Sequence, residues 1–123
     1  MDSVDGLRGL LREFAEARDW QRFHTPRNLA LALAGEVGEL VAELQWVSDE
    51  ELAERLRDAA LFERLSDEAA DVLIYLVRFA DVCGIDLLAA AEAKIARNEH
   101  RYPAGLSRGS AAKYTELGTD DHS

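Results

Sequence analysis

Two acidic signatures in this sequence have the composition and spacing of a cation site. The first is Glu36-Val37-Gly38-Glu39 and the second is Glu68-Ala69-Ala70-Asp71. Each lies in an otherwise apolar stretch, Leu29–Trp46 for the first and Ala69–Ala80 for the second. In an α-helix, residues three apart lie one turn apart and point within about 60° of each other, so each pair sets two carboxylates on one face. One such pair alone is ordinarily a solvated helix face. Two pairs of equal spacing, on apolar helices that must touch in a chain of 123 residues, bring four carboxylates together. Their mutual repulsion and lost hydration call for positive charge. A hard divalent cation with oxygen ligands, Mg²⁺ above all, answers that need. Glu36, Glu39, Glu68 and Asp71 are the candidate metal ligands, with Glu36, Glu39 or Glu43 available to take a proton from water.

The elements that must position these groups are all helical. Leu7, Leu10, Leu11, Phe14 and Ala17 recur at three and four, which predicts a first helix over 4–18. Asp19 to His24 form a polar-aromatic connector. Trp20 and Phe23 there can wall a flat ligand or plug the end of a bundle, and His24 reads by default as a surface or capping residue. Thr25-Pro26 is a strong helix start, opening a second helix that runs to about Trp46. Gly35 and Gly38 interrupt it at a cost of about 1 kcal/mol each relative to alanine. Their place beside the glutamates points to close approach of a ligand or of a neighbouring helix.

Ser48-Asp49-Glu50-Glu51 matches a capping box and predicts a short helix over 49–57. A long helix over about 59–82 then carries Glu68, Asp71, Tyr75 and Arg78 on one line. It is apolar on most of its remaining surface, which calls for a second buried side and hence a homo-oligomer. Gly84 fits a helix stop and Asp86 the cap of a last helix over 87–99. Lys94 and Asn98, four apart and followed by Arg101 and Tyr102, can hold phosphates or simply suit a helix C-terminus. Pro103 ends that helix. The predicted architecture is an all-α four-helix bundle in one domain, 1–103, with an extended arm over 104–123 whose end is disordered. Leu106, Tyr114 and Leu117 in the arm can dock on a neighbouring subunit.

Composition narrows the function classes. Apolar residues make up 48% of the chain, enough for a core. With 14 basic against 24 acidic residues the net charge is −10, which argues against a nucleic-acid polymer or an anionic membrane as partner. An anionic small substrate stays open, provided metal ions or local cations offset the repulsion. Cys83 is the single cysteine, so no intramolecular disulfide forms. No secretory signal and no membrane span are expected, and the chain reads as cytoplasmic.

A family resemblance rests on several segments together. They are Glu13-Phe14-Ala15, Arg18-Asp19-Trp20, Phe23-His24, Pro26-Arg27-Asn28-Leu29, Gly35-Glu36-Val37-Gly38-Glu39-Leu40, Gln45-Trp46 and Asp71-Val72-Leu73-Ile74-Tyr75-Leu76-Val77. Arg101-Tyr102-Pro103, Ser107-Arg108-Gly109-Ser110 and Lys113-Tyr114-Thr115-Glu116-Leu117 complete the set. From about Leu10 to Leu117 the chain resembles the all-α, MazG-like nucleoside triphosphate pyrophosphatases, and most of all their dCTP-hydrolysing subgroup. The resemblance implies Mg²⁺ on Glu36, Glu39, Glu68 and Asp71. It implies a nucleotide pocket from Trp20, Gln21, Arg22, Phe23, His24, Trp46 and Tyr75, and phosphate or metal-site contacts from Lys94 and Asn98. It further implies hydrolysis of a dNTP to dNMP and pyrophosphate by a tetramer built from tight dimers. Two positions depart from the pattern. Gly35 stands where the wider family often has a further glutamate, and Leu11 where some dCTP enzymes have a histidine. Leu11 favours the alternative of a broad dNTP or non-canonical nucleotide house-cleaner. A non-catalytic helical dimerisation module is the remaining reading, and it predicts no effect of Mg²⁺. A di-iron carboxylate bundle is excluded, since no Glu-x-x-His motif occurs.

Overall fold

The computed structural model describes residues 3–102 and 104–107, the last two by their backbone only. All described secondary structure is helical: α1 (Val4–Ala17), a 3-10 turn (Gln21–Phe23), α2 (Pro26–Leu44), α3 (Asp49–Arg55), α4 (Ala59–Cys83), α5 (Leu87–Arg101) and α6 (Ala104–Ser107). No helix among the described residues is long and apolar enough to cross a membrane. The chain divides into two compact units, Met1–Ile85 and Asp86–Ser123.

Helix boundaries follow from side chains that satisfy the orphaned amides of each first turn. Ser3 accepts from the Gly6 amide, Thr25 from Asn28, Ser48 from Glu51, Asp58 from Ala60 and Asp86 from Ala89, at 3.0–3.2 Å. Pro26 stands in the first turn of α2, where its missing N–H has no partner to lose. Gly84, at φ 72°, ends α4 in the left-handed region that glycine enters without a Cβ penalty.

The end of α1 is a Schellman motif with aspartate in the position usually held by glycine. Asp19 adopts φ 52°; its amide donates to Glu16, and the Trp20 amide donates to Ala15 at 2.9 Å. The motif turns Trp20 back over its own helix, where its ring meets Phe14 at 5.7 Å between centroids. This is the hydrophobic contact that accompanies such caps.

In the first unit, α4 packs against both α2 and α1. The pairs Glu43 with Arg64 and Glu36 with Glu68 run in opposite directions along α2 and α4, so these helices are antiparallel. The buried apolar side chains are few: Ala15, Leu29, Leu61, Val77 and Ala80. Much of the apolar surface stays open, including Leu31, Phe62 and Leu73. The second unit holds α5 and α6. Its single helical turn at Ala104–Ser107 replaces the extended chain predicted there; the rest of the predicted arm lies outside the described residues.

Candidate active site

Three of the four predicted carboxylates converge. One oxygen each of Glu36, Glu39 and Glu68 lies within 4.8 Å of the others. The spacing that placed Glu36 and Glu39 on one face of α2 therefore turns that face to α4. Asp71 stands outside this set, yet its charge acts on both Glu36 and Glu68. Glu43, one turn beyond Glu39, is engaged by Arg64 at 3.2 Å, so its carboxylate is committed to an ion pair.

The electrostatics of the cluster are unfavourable as they stand. Glu36 Oε2 and Glu68 Oε2 are shut off from solvent and have no hydrogen-bond partner among the described residues. Both carboxyls are held above the ordinary glutamate value of 4.5, first by lost hydration and then by their acidic neighbours, Glu39 foremost. A buried polar atom without a partner costs free energy unless a group from outside the chain satisfies it. A donor set made only of carboxylate oxygens fits a hard divalent cation. A Cβ at Gly35 or Gly38 would meet nothing within 4 Å. Close packing of a helix in the same chain therefore does not explain these glycines, and the space beside the carboxylates is open.

Two helical turns along α2 and α4 lies a cavity of about 340 Å³. Leu29 precedes Glu36 by seven residues and Tyr75 follows Glu68 by seven, which is about 10 Å along each helix. Leu7, Leu10, Leu11 and Phe14 of α1 form one wall; Trp20, His24, Leu29, Ile74, Tyr75 and Arg78 complete it. The volume is near the lower end of the range of about 300–1,000 Å³ for small-molecule pockets, and a mostly apolar lining with a few polar groups is typical of them.

The polar groups at this cavity are joined in a chain. Arg78 is 8% exposed. Its Nε donates to His24 Nδ1 at 3.0 Å and its Nη1 to Asp81 Oδ2 at 3.3 Å. Asp81 in turn accepts both Nε and Nη2 of Arg12, at 2.7 and 2.6 Å. The bond from Arg12 holds the Asp81 carboxyl below the ordinary aspartate value of 3.8. His24 is held below its ordinary 6.5, first by burial and then by the Arg78 charge. A histidine that accepts at Nδ1 and stays neutral carries its proton on Nε2.

The remaining predicted residues are placed differently. Phe23 and Arg22 lie on the 3-10 turn with Gln21; Arg22 stacks on the Phe23 ring at 4.8 Å and pairs with Asp19 at 3.5 Å. These three do not line the cavity. Asn28 ties the turn to α2 by donating to the Phe23 carbonyl at 3.0 Å. Trp46 follows the end of α2 and is 86% exposed. Lys94 and Asn98 lie one turn apart on α5 of the second unit, the first exposed and the second half-buried. The sequence reading missed Arg78 as a site residue, together with Arg12, Asp81 and the α1 wall. The signal for Arg78 was a lone cation within the apolar run Leu73–Ala80.

The lowered His24 value has a consequence for stability. The unfolded chain binds a proton at His24 before the folded chain does. The stabilising contribution is thus present above 6.5 and is lost as pH falls through the lowered folded value. Melting temperatures measured from about pH 7 down to about pH 5 should fall more steeply for the wild type than for His24→Phe. Parallel slopes would show that His24 ionises freely in the folded state.

Comparison with known proteins adds three findings. A model of the MazG-like family matches residues 32–117. Proteins named dCTP pyrophosphatase 1 from Rattus norvegicus and Homo sapiens are 50% and 48% identical over 115 residues, spanning 94% of this chain and 68% of each relative. A crystal structure of a pyrophosphatase from Archaeoglobus fulgidus DSM 4304 is similar at a TM-score of 0.75 and 40% identity, covering 80% of this chain and 91% of that one.

Proposed function

This chain belongs to the MazG-like family, and from that premise we propose that it hydrolyses nucleoside triphosphates, dCTP by preference, to the monophosphate and pyrophosphate. The observation that carries this reading is the pair of buried carboxylate oxygens of Glu36 and Glu68, unpartnered among the described residues, two helical turns from a cavity with room for a nucleobase. The preference for dCTP is supported by the names of its relatives.

Glu36, Glu39 and Glu68, with Asp71 beside them, are the proposed holders of Mg²⁺. Bound there, Mg²⁺ supplies neutralising charge for phosphate oxygens and acidifies a bound water. The rest is work for the side chains. In the proposed reaction a water oxygen bonds to the α-phosphorus, the bond to the bridging oxygen breaks, and pyrophosphate leaves with the electron pair. Glu36 or Glu39 takes the water proton; Glu43 is held away by Arg64. Trp20 and Tyr75 enclose the base, and His24 hydrogen-bonds its edge. Gln21, Arg22, Phe23 and Trp46 are proposed contacts of the nucleotide that a neighbouring subunit completes. Lys94 and Asn98, a cation and an amide donor, are proposed phosphate contacts. The exposed Leu31, Phe62 and Leu73 support a homo-oligomer, which we take to be a tetramer of the family's kind in the cytoplasm.

A second reading has one observation in its favour. Leu11 lines the cavity and brings no hydrogen bond to a base, which suits a broader dNTP house-cleaner. Pyrophosphate release from each of the four common dNTPs, with Mg²⁺ and with EDTA, separates the two. Release from dCTP should exceed the others by roughly tenfold or more, as expected of a site that hydrogen-bonds its ligand's edge, and should stop in EDTA. Equal rates on all four would favour the broad enzyme. No release from any would sink both.

A further inference from the structure

We propose that Arg78 and His24 form a donor-only wall that reads an acceptor edge of the base, so that the cavity takes cytosine and rejects uracil or thymine. The inference rests on the proposed function, and it assigns a specificity role to Arg78, Asp81 and Arg12 that the acidic cluster does not require.

The argument starts from what each group can offer. His24 Nδ1 already accepts from Arg78 Nε, so the imidazole has only an Nε2–H left to give. Arg78 carries donors and no acceptor. Its Nε and Nη1 are committed to His24 and Asp81, and its Nη2 makes no hydrogen bond among the described residues. Trp20, also at the cavity, can only donate through its indole N–H. Tyr75 alone among the polar cavity residues can accept as well. Leu7, Leu10, Leu11, Phe14, Leu29 and Ile74 offer nothing polar. The cavity therefore presents an excess of donors.

Cytosine and uracil differ at the edge such a wall would meet. Cytosine presents two adjacent acceptors, the 2-carbonyl oxygen and the unprotonated ring nitrogen N3. Uracil and thymine carry a proton on N3, between carbonyl acceptors at positions 2 and 4, so two neighbouring donors that suit cytosine's O2 and N3 meet one acceptor and one donor. Against a wall of donors that N–H faces another N–H, and neither finds a partner in the wall. Discrimination by such unpaired groups is far stronger than discrimination by shape.

Arg12 and Asp81 give the wall its fixity. A lone buried guanidinium would be costly to hold in an apolar cavity. Asp81, 7% exposed at its side chain, balances the charge and is itself anchored by Arg12 through two bonds. The line runs from the surface of α1 through Asp81 to Arg78 and ends at His24, which fixes the histidine's tautomer by geometry. Arg12 and Asp81 are thus positioning residues, and Arg78 and His24 touch the ligand.

The test compares dCTP with dUTP in the wild type, Arg78→Met, Arg78→Lys and His24→Phe. The ratio of kcat/KM for the two substrates should fall roughly tenfold or more in Arg78→Met and in His24→Phe, chiefly through KM for dCTP. Arg78→Lys keeps a donor and the charge but not the fork that reaches two partners, and should recover part of the ratio. Binding of dCMP and dUMP in EDTA gives a second reading that needs neither metal nor turnover. If Arg78→Met fails to fold, His24→Phe and Arg78→Lys decide. A ratio within twofold of wild type in the folded variants, by turnover and by binding, would overturn the donor wall while leaving the pyrophosphatase reading in place. A wild type that releases no pyrophosphate overturns the pyrophosphatase reading; the monophosphate binding ratio then still decides for or against the wall.

Discussion

Glu68→Gln should lower Mg²⁺-dependent hydrolysis on the order of 10²-fold or more and, in protein stripped of metal, should raise the melting temperature. The two effects have one cause. Glu68 Oε2 is buried without a partner among the described residues and faces Glu36 and Glu39 across the α2–α4 interface. In the proposed function that carboxylate would be a ligand of the bound cation. Losing even an outer partner of a ligand costs about 10–100-fold in affinity or activity, so losing the ligand itself should cost on the order of 10²-fold or more. Without a cation, the same carboxylate is a liability. The folded chain holds Glu36 and Glu68 above 4.5, so it binds their protons more tightly than the unfolded chain does. Their stabilising contribution is fully present below 4.5 and is lost as pH rises through the raised folded values. The gap between variant and wild type in EDTA should therefore open as pH rises, and Mg²⁺ should close it for the wild type only. A metal-free Glu68→Gln that melts below wild type at neutral pH would mean that Glu68 already has a partner in the folded chain, and the cluster would not be a cation site.

The cluster was legible in the sequence because helical spacing fixes which residues share a face. The caps were legible for the same local reason: Thr25, Ser48 and Asp86 satisfy amides three residues on, and Gly84 takes a positive φ. What spacing cannot give is the partner of a face. Leu7, Leu10, Leu11 and Phe14 read as one apolar stripe and they line a cavity, a use that spacing does not single out because a period of three and four is the same for a core face. Arg12 and Asp81 are 69 residues apart, and no local pattern pairs them. The Schellman turn that brings Trp20 back to Phe14 escaped notice because Asp19, not glycine, holds the left-handed position. Asp71 shares the helix line with Glu68, but it stays outside the set of oxygens that meet within 4.8 Å. The same limit applies to the exposed apolar residues of α4, whose pattern calls for a partner without saying which.

Two neighbouring residues of α4 turn that last point into a measurable contrast. Leu61 is 2% exposed and Phe62 is 58% exposed. Leu61 lies in the first turn after the Asp58 cap, away from both the cluster and the cavity. Few apolar side chains are as deeply buried, so each carries a large share of the core's contribution. Leu61→Ala should cost about 2–5 kcal/mol, a large part of the roughly 5–15 kcal/mol that holds a typical domain folded. The melting temperature should fall on the order of 10 °C, while kcat/KM measured well below the transition keeps its wild-type value. Phe62→Ala discriminates between two states of the molecule. In a lone chain its ring is largely in water, and truncation should change stability by only a few tenths of a kcal/mol. If a second copy covers the outer face of α4, the ring is buried in the assembly. Phe62→Ala should then lower the melting temperature by an amount that shrinks as the protein is diluted towards monomer, because association and folding are linked by mass action. A full Leu61 effect with no Phe62 effect at any concentration would mean that the outer face of α4 stays open, and the oligomer would have to be built on other surfaces.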